Sequence, residues 1–225
     1  MDETQKNSVA IGIFFSILML IAALTFLPLV QLIISDKTTI FWIGRIAIWF
    51  CLLLIYLYVS EIEKSEFLLF EEQKFSIIQY FISFFKIILA IIVGAIIIGL
   101  TLKSLDFVQE KNVKLLEITK ILKNNFPLLI FTCITAGATE ELIFRGYLMP
   151  RLQLFFKNNY ASIAISSVLF GLMHIGFGTI FQVLGPMMIG FVFAFHYQRF
   201  RNIKILIFCH FFWDFMSLMA STHLK

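Results

Sequence analysis

The chain has 225 residues, of which 60% are hydrophobic and only 14% charged, with a formal charge of +4 and a mean hydropathy of +0.93. A soluble domain carries roughly a quarter charged residues, so this composition excludes a water-soluble globule and points to an integral membrane protein. Long apolar runs, in place of alternating ten-residue segments, make it helical and not a β-barrel. The small positive excess lies in short loops, where it suits anionic lipid headgroups and topology control, and it gives no sign of a nucleic-acid partner.

A membrane-spanning helix needs about 20 apolar residues, and segments near 9–34, 40–60 and 76–102 meet this requirement. The first is too long for a cleavable signal and lacks a small-residue cleavage site, so it is expected to stay as a helix, kinked or ended by Pro28. Arg45 and Lys86 sit inside the second and third segments. Their long stems let them snorkel, which predicts anchoring roles for both. Residues 61–74, EIEKSEFLLFEEQK, form a charged connector with an apolar centre, suited to the membrane surface. In the less hydrophobic stretch 103–124, Val113, Leu116, Ile118 and Ile121 stand among lysines as in an amphipathic interfacial helix. Pro127 suits the first turn of the next helix.

Beyond it, apolar helices are expected near 126–155, 160–177, 179–198 and 203–221, the first of them breaking near Gly146 and Pro150. The fold class is therefore all-α: a polytopic transmembrane bundle of about seven spans with a polar site in its C-terminal four-helix core. Residues 1–125 make an N-terminal helical part with an amphipathic connector, and 126–225 a site-bearing core. Cys51, Cys133 and Cys209 all lie in apolar runs with no metal-type spacing, and read as small buried hydrophobes. With the N-terminus inside, the inner loops hold Lys6, Lys64, Lys74, Arg151, Lys157, Arg199, Arg201 and Lys204. The outer side holds Lys37, Lys225 and the five lysines from 103 to 123. Setting the amphipathic segment aside, lysine and arginine placement favours a cytoplasmic N-terminus.

Six ionisable groups sit within the apolar second half, where each charge costs a few kcal/mol or more unless it is paired or solvated. They are Glu140, Glu141 and Arg145 in TAGATEELIFRGYL, His174 in SVLFGLMHIG, and His210 with Asp214 in ILIFCHFFWDFM. On a helix, residues four apart share a face, so Glu141 and Arg145 can pair while Glu140 points about 100° away. Ala136, Gly137 and Ala138 precede them as a small-residue patch that lets another helix approach closely. Phe170 shares a face with His174, and His210 with Asp214. Together these groups offer a base, two imidazoles and a further carboxylate, a set that suits hydrolysis by activated water. No GxSxG and no HExxH occurs, which disfavours an acyl-enzyme and the familiar helical zinc-protease pattern.

The order EExxFR, FxxxH, HxxxD resembles the CPBP intramembrane protease family, the type II CAAX prenyl endopeptidases and their bacterial relatives. Here it reads Glu140-Glu141-Leu142-Ile143-Phe144-Arg145, then Phe170 to His174, then His210 to Asp214, within roughly residues 126–220. The resemblance implies an endopeptidase acting on a membrane-associated peptide or protein, with Glu140 activating water and His174 assisting. It also implies that His210 and the residue four after it stabilise the oxyanion, while Glu141, Arg145 and Phe170 support the site. Prenyl-processing members carry asparagine where this chain has Asp214, and an ionised aspartate only accepts hydrogen bonds. Asp214 is thus free to orient His210 or to bind a metal. The family is described both as a metalloprotease and as metal-free, so a Zn2+ site built from His174, His210, Asp214 and Glu140 stays open.

The substrate does not follow from these residues. The richness in Phe, Ile and Lys looks like an AT-rich bacterial genome, which implies a bacterial cytoplasmic membrane and argues against prenylated substrates. Bacterial relatives are linked to bacteriocin self-immunity, so the alternative is a non-catalytic immunity or scaffold protein. A small transporter is a third reading, but the chain shows no repeat symmetry.

Overall fold

The computed structural model describes residues 3–107 and 113–223. Every regular element among them is helical: α1 (Glu3–Val30), α2 (Lys37–Glu63), α3 (Ile77–Ser104), α4 (Val113–Lys123), α5 (Phe126–Phe156), α6 (Asn159–Leu172), α7 (Phe181–Phe200) and α8 (Ile203–His223). Six of these are long and apolar enough to cross a membrane: α1, α2, α3, α5, α6 with the turn that follows it, and α8. α7 is more polar because it carries Gln182, His196, Gln198 and Arg199. Its 20 residues, about 30 Å of helix, pack along α6 and α3 and complete the multi-pass bundle.

The helix starts follow local chemistry. Asp36 accepts from the amide and hydroxyl of Thr39 at 2.7 and 2.6 Å, capping α2. Those hydrogen bonds, the hydroxyl foremost, hold its carboxyl below the ordinary carboxylate range. Ser76 and Gln79 form a reciprocal capping box at α3. Asn125 caps α5, where Pro127 stands in the first turn as expected.

Three apolar clusters hold the bundle. One joins α3, α7 and α8 around Ile91, Phe193 and Leu206. A second joins α1, α2, α5 and α6 around Ile55, Phe144 and Phe170. The third sets Leu122 of α4 and Leu128 of α5 against Phe211 and Phe215 of α8. The three cysteines are buried and unpaired.

One expectation changes. α5 does not break at Gly146 and Pro150; it continues to Phe156 through two wide π-type turns, Ala136–Glu140 and Leu142–Leu148. The connector 64–76 is irregular and is fastened to the bundle end. Arg151, fully buried, donates to Glu63 at 3.0 and 3.1 Å, to Ser65 Oγ at 3.2 Å and to the carbonyls of Glu66 and Phe67. Further along, Glu72 accepts from Tyr197 and from the Ile203 amide, and Asn202 donates to the Gln73 carbonyl.

α4 is helical as expected, yet its packed face is Ile118, Thr119, Ile121 and Leu122, with Val113 and Leu116 exposed. At that end of the bundle Lys37 pairs with Glu117, and Lys114 donates to the Gly176 carbonyl. Of the lysines counted for orientation, Lys111 and Lys225 lie outside the described residues.

Candidate active site

The polar cluster is built on α5. Its wide turns leave the regular α ladder, and the Thr139 hydroxyl donates to the Thr135 carbonyl at 2.6 Å, a side-chain contact that loosens helices. The small patch before Glu140 does what the sequence suggested. A Cβ on Gly137 would stand 2.8 Å from the Ile207 carbonyl oxygen and 3.0 Å from the Phe211 nitrogen. α8 therefore crosses α5 at backbone contact, which brings His210 beside the two glutamates.

His210 is bracketed by both. Its Nδ1 lies 2.8 Å from Glu141 Oε1, and its Nε2 lies 3.9 Å from Glu140 Oε2 and 3.6 Å from Asp214 Oδ2. Glu141 Oε1 also accepts from Arg145 Nη1 at 3.0 Å, and both side chains are wholly buried. Arg145 Nη2 continues to the Gly190 carbonyl at 3.1 Å, tying in α7, while the guanidinium lies 4.5 Å from the centre of the Phe170 ring. An ionised Glu141 can only accept, so His210 Nδ1 carries the hydrogen and Nε2 is the nitrogen turned toward Glu140 and Asp214.

His174 stands just beyond the end of α6, in the turn before Ile175–Phe177. Its Nδ1 is 2.9 Å from the Phe170 carbonyl. A carbonyl accepts only, so Nδ1 is again the protonated nitrogen and Nε2 is left with a lone pair. The Phe170 ring lies between the imidazoles, 5.3 Å from His174 and 5.9 Å from His210, and His174 lies in electrostatic reach of Asp214. The structure thus gathers Glu140, His174, His210 and Asp214 around one place.

The cluster has a dry half and an open half. Glu141 and Arg145 have no exposed side-chain surface, whereas Glu140 and Asp214 retain 21% and 30%. The angular separation expected between the glutamates becomes a division between two edges of one ring: Glu141 takes Nδ1 and Glu140 faces Nε2.

Residues 122–216 match the family model described as Type II CAAX prenyl endopeptidase Rce1-like. Over these residues the chain is similar to the CAAX protease-like family. No curated protein and no solved structure matches the chain. The matched stretch contains the whole cluster, from Glu140 to Asp214.

A catalytic metal would need at least three protein ligands converging on one point. Among the described residues no group of three or more His, Cys, Asp or Glu is arranged to hold a metal ion. The four candidates Glu140, His174, His210 and Asp214 do not fit one, and Nδ1 of each histidine is already engaged.

Arg45 is the residue that sequence reasoning misplaced. Instead of snorkelling from α2 to a membrane surface, it turns inward, with Nε buried and unpartnered, in electrostatic reach of Glu140 and Asp214. α2 is fixed there by Trp49, which donates to Thr135 Oγ1 on α5 at 3.0 Å. The signal was present in the sequence as a charged residue deep in an apolar run, but its partners lie far along the chain.

Proposed function

We propose that this protein is an intramembrane endopeptidase that hydrolyses a peptide bond in a membrane-associated peptide or protein of the bacterial cytoplasmic membrane. The observation that carries the reading is the half-open arrangement of Glu140 and Asp214 against His210, whose other nitrogen is held by the dry Glu141–Arg145 pair. A packing-only network has no use for two partly exposed carboxylates on apolar helices.

In this reading a water molecule lies between Glu140 and the Nε2 lone pair of His174. Glu140 takes a proton as the water oxygen bonds to the scissile carbonyl carbon, and the carbonyl π electrons move onto oxygen. Collapse of the tetrahedral intermediate breaks the C–N bond, and Glu140 returns the proton to the leaving nitrogen. No step is routed through a metal. Ionised Asp214 cannot donate to the oxyanion. Stabilisation there falls to the field of Arg45 and to His210, while Asp214 holds His210 and Arg45 in balance.

The test is cleavage of a quenched fluorescent peptide library by the full chain in proteoliposomes, beside Glu140→Gln. That substitution keeps size and hydrogen bonding and removes the base, so the rate should fall about 10²-fold or more. Full biological activity in Glu140→Gln would replace the enzymatic reading by an immunity or scaffold role that needs only the packed charges.

A further inference from the structure

Outside the site, α3 and α7 leave between them a groove of about 650 Å³ whose lining includes none of the cluster residues. Its walls are apolar, among them Met188, Phe191 and Val192, and it carries Lys86, His196 and Arg199 with no acid in the lining. α3 begins, and α7 ends, at the end of the bundle where the connector is fastened. The basic groups therefore gather toward that end, and the groove runs away from them to Ile98 and Leu184. From Lys86 to Ile98 the helix rises about 18 Å, close to the depth of one leaflet of a hydrocarbon core about 30 Å thick.

These groups have no acidic partner among the described residues; Arg199 and His196 touch the Phe200 ring instead. Neither Lys86 nor Arg199 forms an ion pair with a described acid, and both are exposed. His196 Nε2 is buried with no hydrogen-bond partner and lies in electrostatic reach of Lys86. An apolar trough one leaflet deep, ending in three nitrogen groups with no acid beside them, matches an acyl chain joined to a phosphate. An extended peptide would bring unsatisfied backbone N–H and C=O groups against apolar walls; a neutral lipid would leave the basic end without a counter-charge.

We propose that this groove is a binding site for one anionic phospholipid, with its phosphate held by Lys86, His196 and Arg199 and a chain laid along α7 toward Leu184. The site is separate from the hydrolytic cluster and does not rest on the endopeptidase reading. Lys86 is then a lipid ligand rather than a free snorkelling anchor. Basic side chains near a membrane surface each strengthen anionic lipid binding about fivefold.

The experiment is native mass spectrometry of the full chain in detergent, titrated with dioleoyl phosphatidylglycerol or dioleoyl phosphatidylcholine. Wild type should retain one phosphatidylglycerol in preference to phosphatidylcholine. The Lys86→Ala/Arg199→Ala variant should lose about 30-fold in that affinity. Met188→Trp, which fills the trough and leaves the charges, should lose the bound lipid too while eluting as wild type on gel filtration. Equal retention of both lipids by wild type, or unchanged phosphatidylglycerol retention in both variants, would overturn the proposal.

Discussion

His210 is oriented by Glu141 on a neighbouring helix, at 2.8 Å, and not by Asp214 four residues along its own, at 3.6 Å. The imidazole therefore depends on an ion pair it does not share a helix with. Because Glu141 Oε1 also accepts from Arg145, the ring, the carboxylate and the guanidinium form one fixed unit spanning α5 and α8. A further tie runs from Arg145 to Gly190 on α7.

The first prediction follows from that unit. Arg145→Ala leaves Glu141 buried without its cation, which should destabilise the fold by about 3–5 kcal/mol and lower membrane abundance. Arg145→Lys keeps the charge but has no planar fork to reach Glu141 and Gly190 together, so its loss should be intermediate. Thermal unfolding in detergent, read by intrinsic fluorescence, ranks the three proteins. A wild-type melting curve for Arg145→Ala would refute the unit.

The second concerns Asp214 and Arg45, which lie in mutual electrostatic reach. Arg45→Ala should reduce cleavage in the wild-type background, where the removed cation faces Glu140 and Asp214. In an Asp214→Asn background the same change should cost less, since one of the two carboxylates is gone. A double-mutant cycle on kcat/KM should give a coupling of about 1 kcal/mol. Additive effects would mean that Arg45 acts on the site without Asp214.

The bundle was legible because its governing signal is local: runs of about 20 apolar residues, punctuated by Pro127 and by capping residues such as Asp36 and Asn125. The pairing of Glu141 with Arg145 was legible for the same reason, since four-residue spacing places both on one face. The two wide turns in α5 were not, because π geometry depends on which carbonyls find partners, and no residue type announces it. Arg45 was equally compatible with snorkelling until the packing of α2 on α5 through Trp49 and Thr135 was seen. How the connector is fastened was hidden for a related reason. Glu63 and the carbonyls of Glu66 and Phe67 are satisfied by Arg151, more than eighty residues further along.

That last contact supplies a third prediction. Arg151→Ala strands Glu63, whose side chain is only 3% exposed, and leaves the carbonyls of Glu66 and Phe67 without their donor. The connector should detach from the bundle end. Limited trypsin digestion reports this directly, with cleavage after Lys64 and Lys74 rising at least several-fold over wild type. Arg151→Lys should protect poorly, because a single ammonium cannot span the four acceptors that the guanidinium reaches. Equal digestion rates in wild type and Arg151→Ala would show that the connector is held by other contacts.

The fourth prediction joins packing to chemistry at Gly137. A methyl group there would meet backbone atoms of α8, the Ile207 carbonyl oxygen and the Phe211 nitrogen, at 2.8 and 3.0 Å. Backbone cannot swing aside as a flexible side chain can, so α8 must shift as a body. Overpacking of this kind costs about 1–3 kcal/mol, and the shift carries His210 and Asp214 away from Glu140. Gly137→Ala should therefore lower kcat by about 10-fold or more while the protein still inserts and folds, because a misplacement of about 1 Å can cost 10²-fold. Gly99→Ala is the control, since a Cβ at that position meets nothing within 4 Å, and it should leave both stability and turnover at wild-type values. If Gly137→Ala turns over substrate as fast as Gly99→Ala, the close crossing of α5 and α8 does not set the geometry of the site.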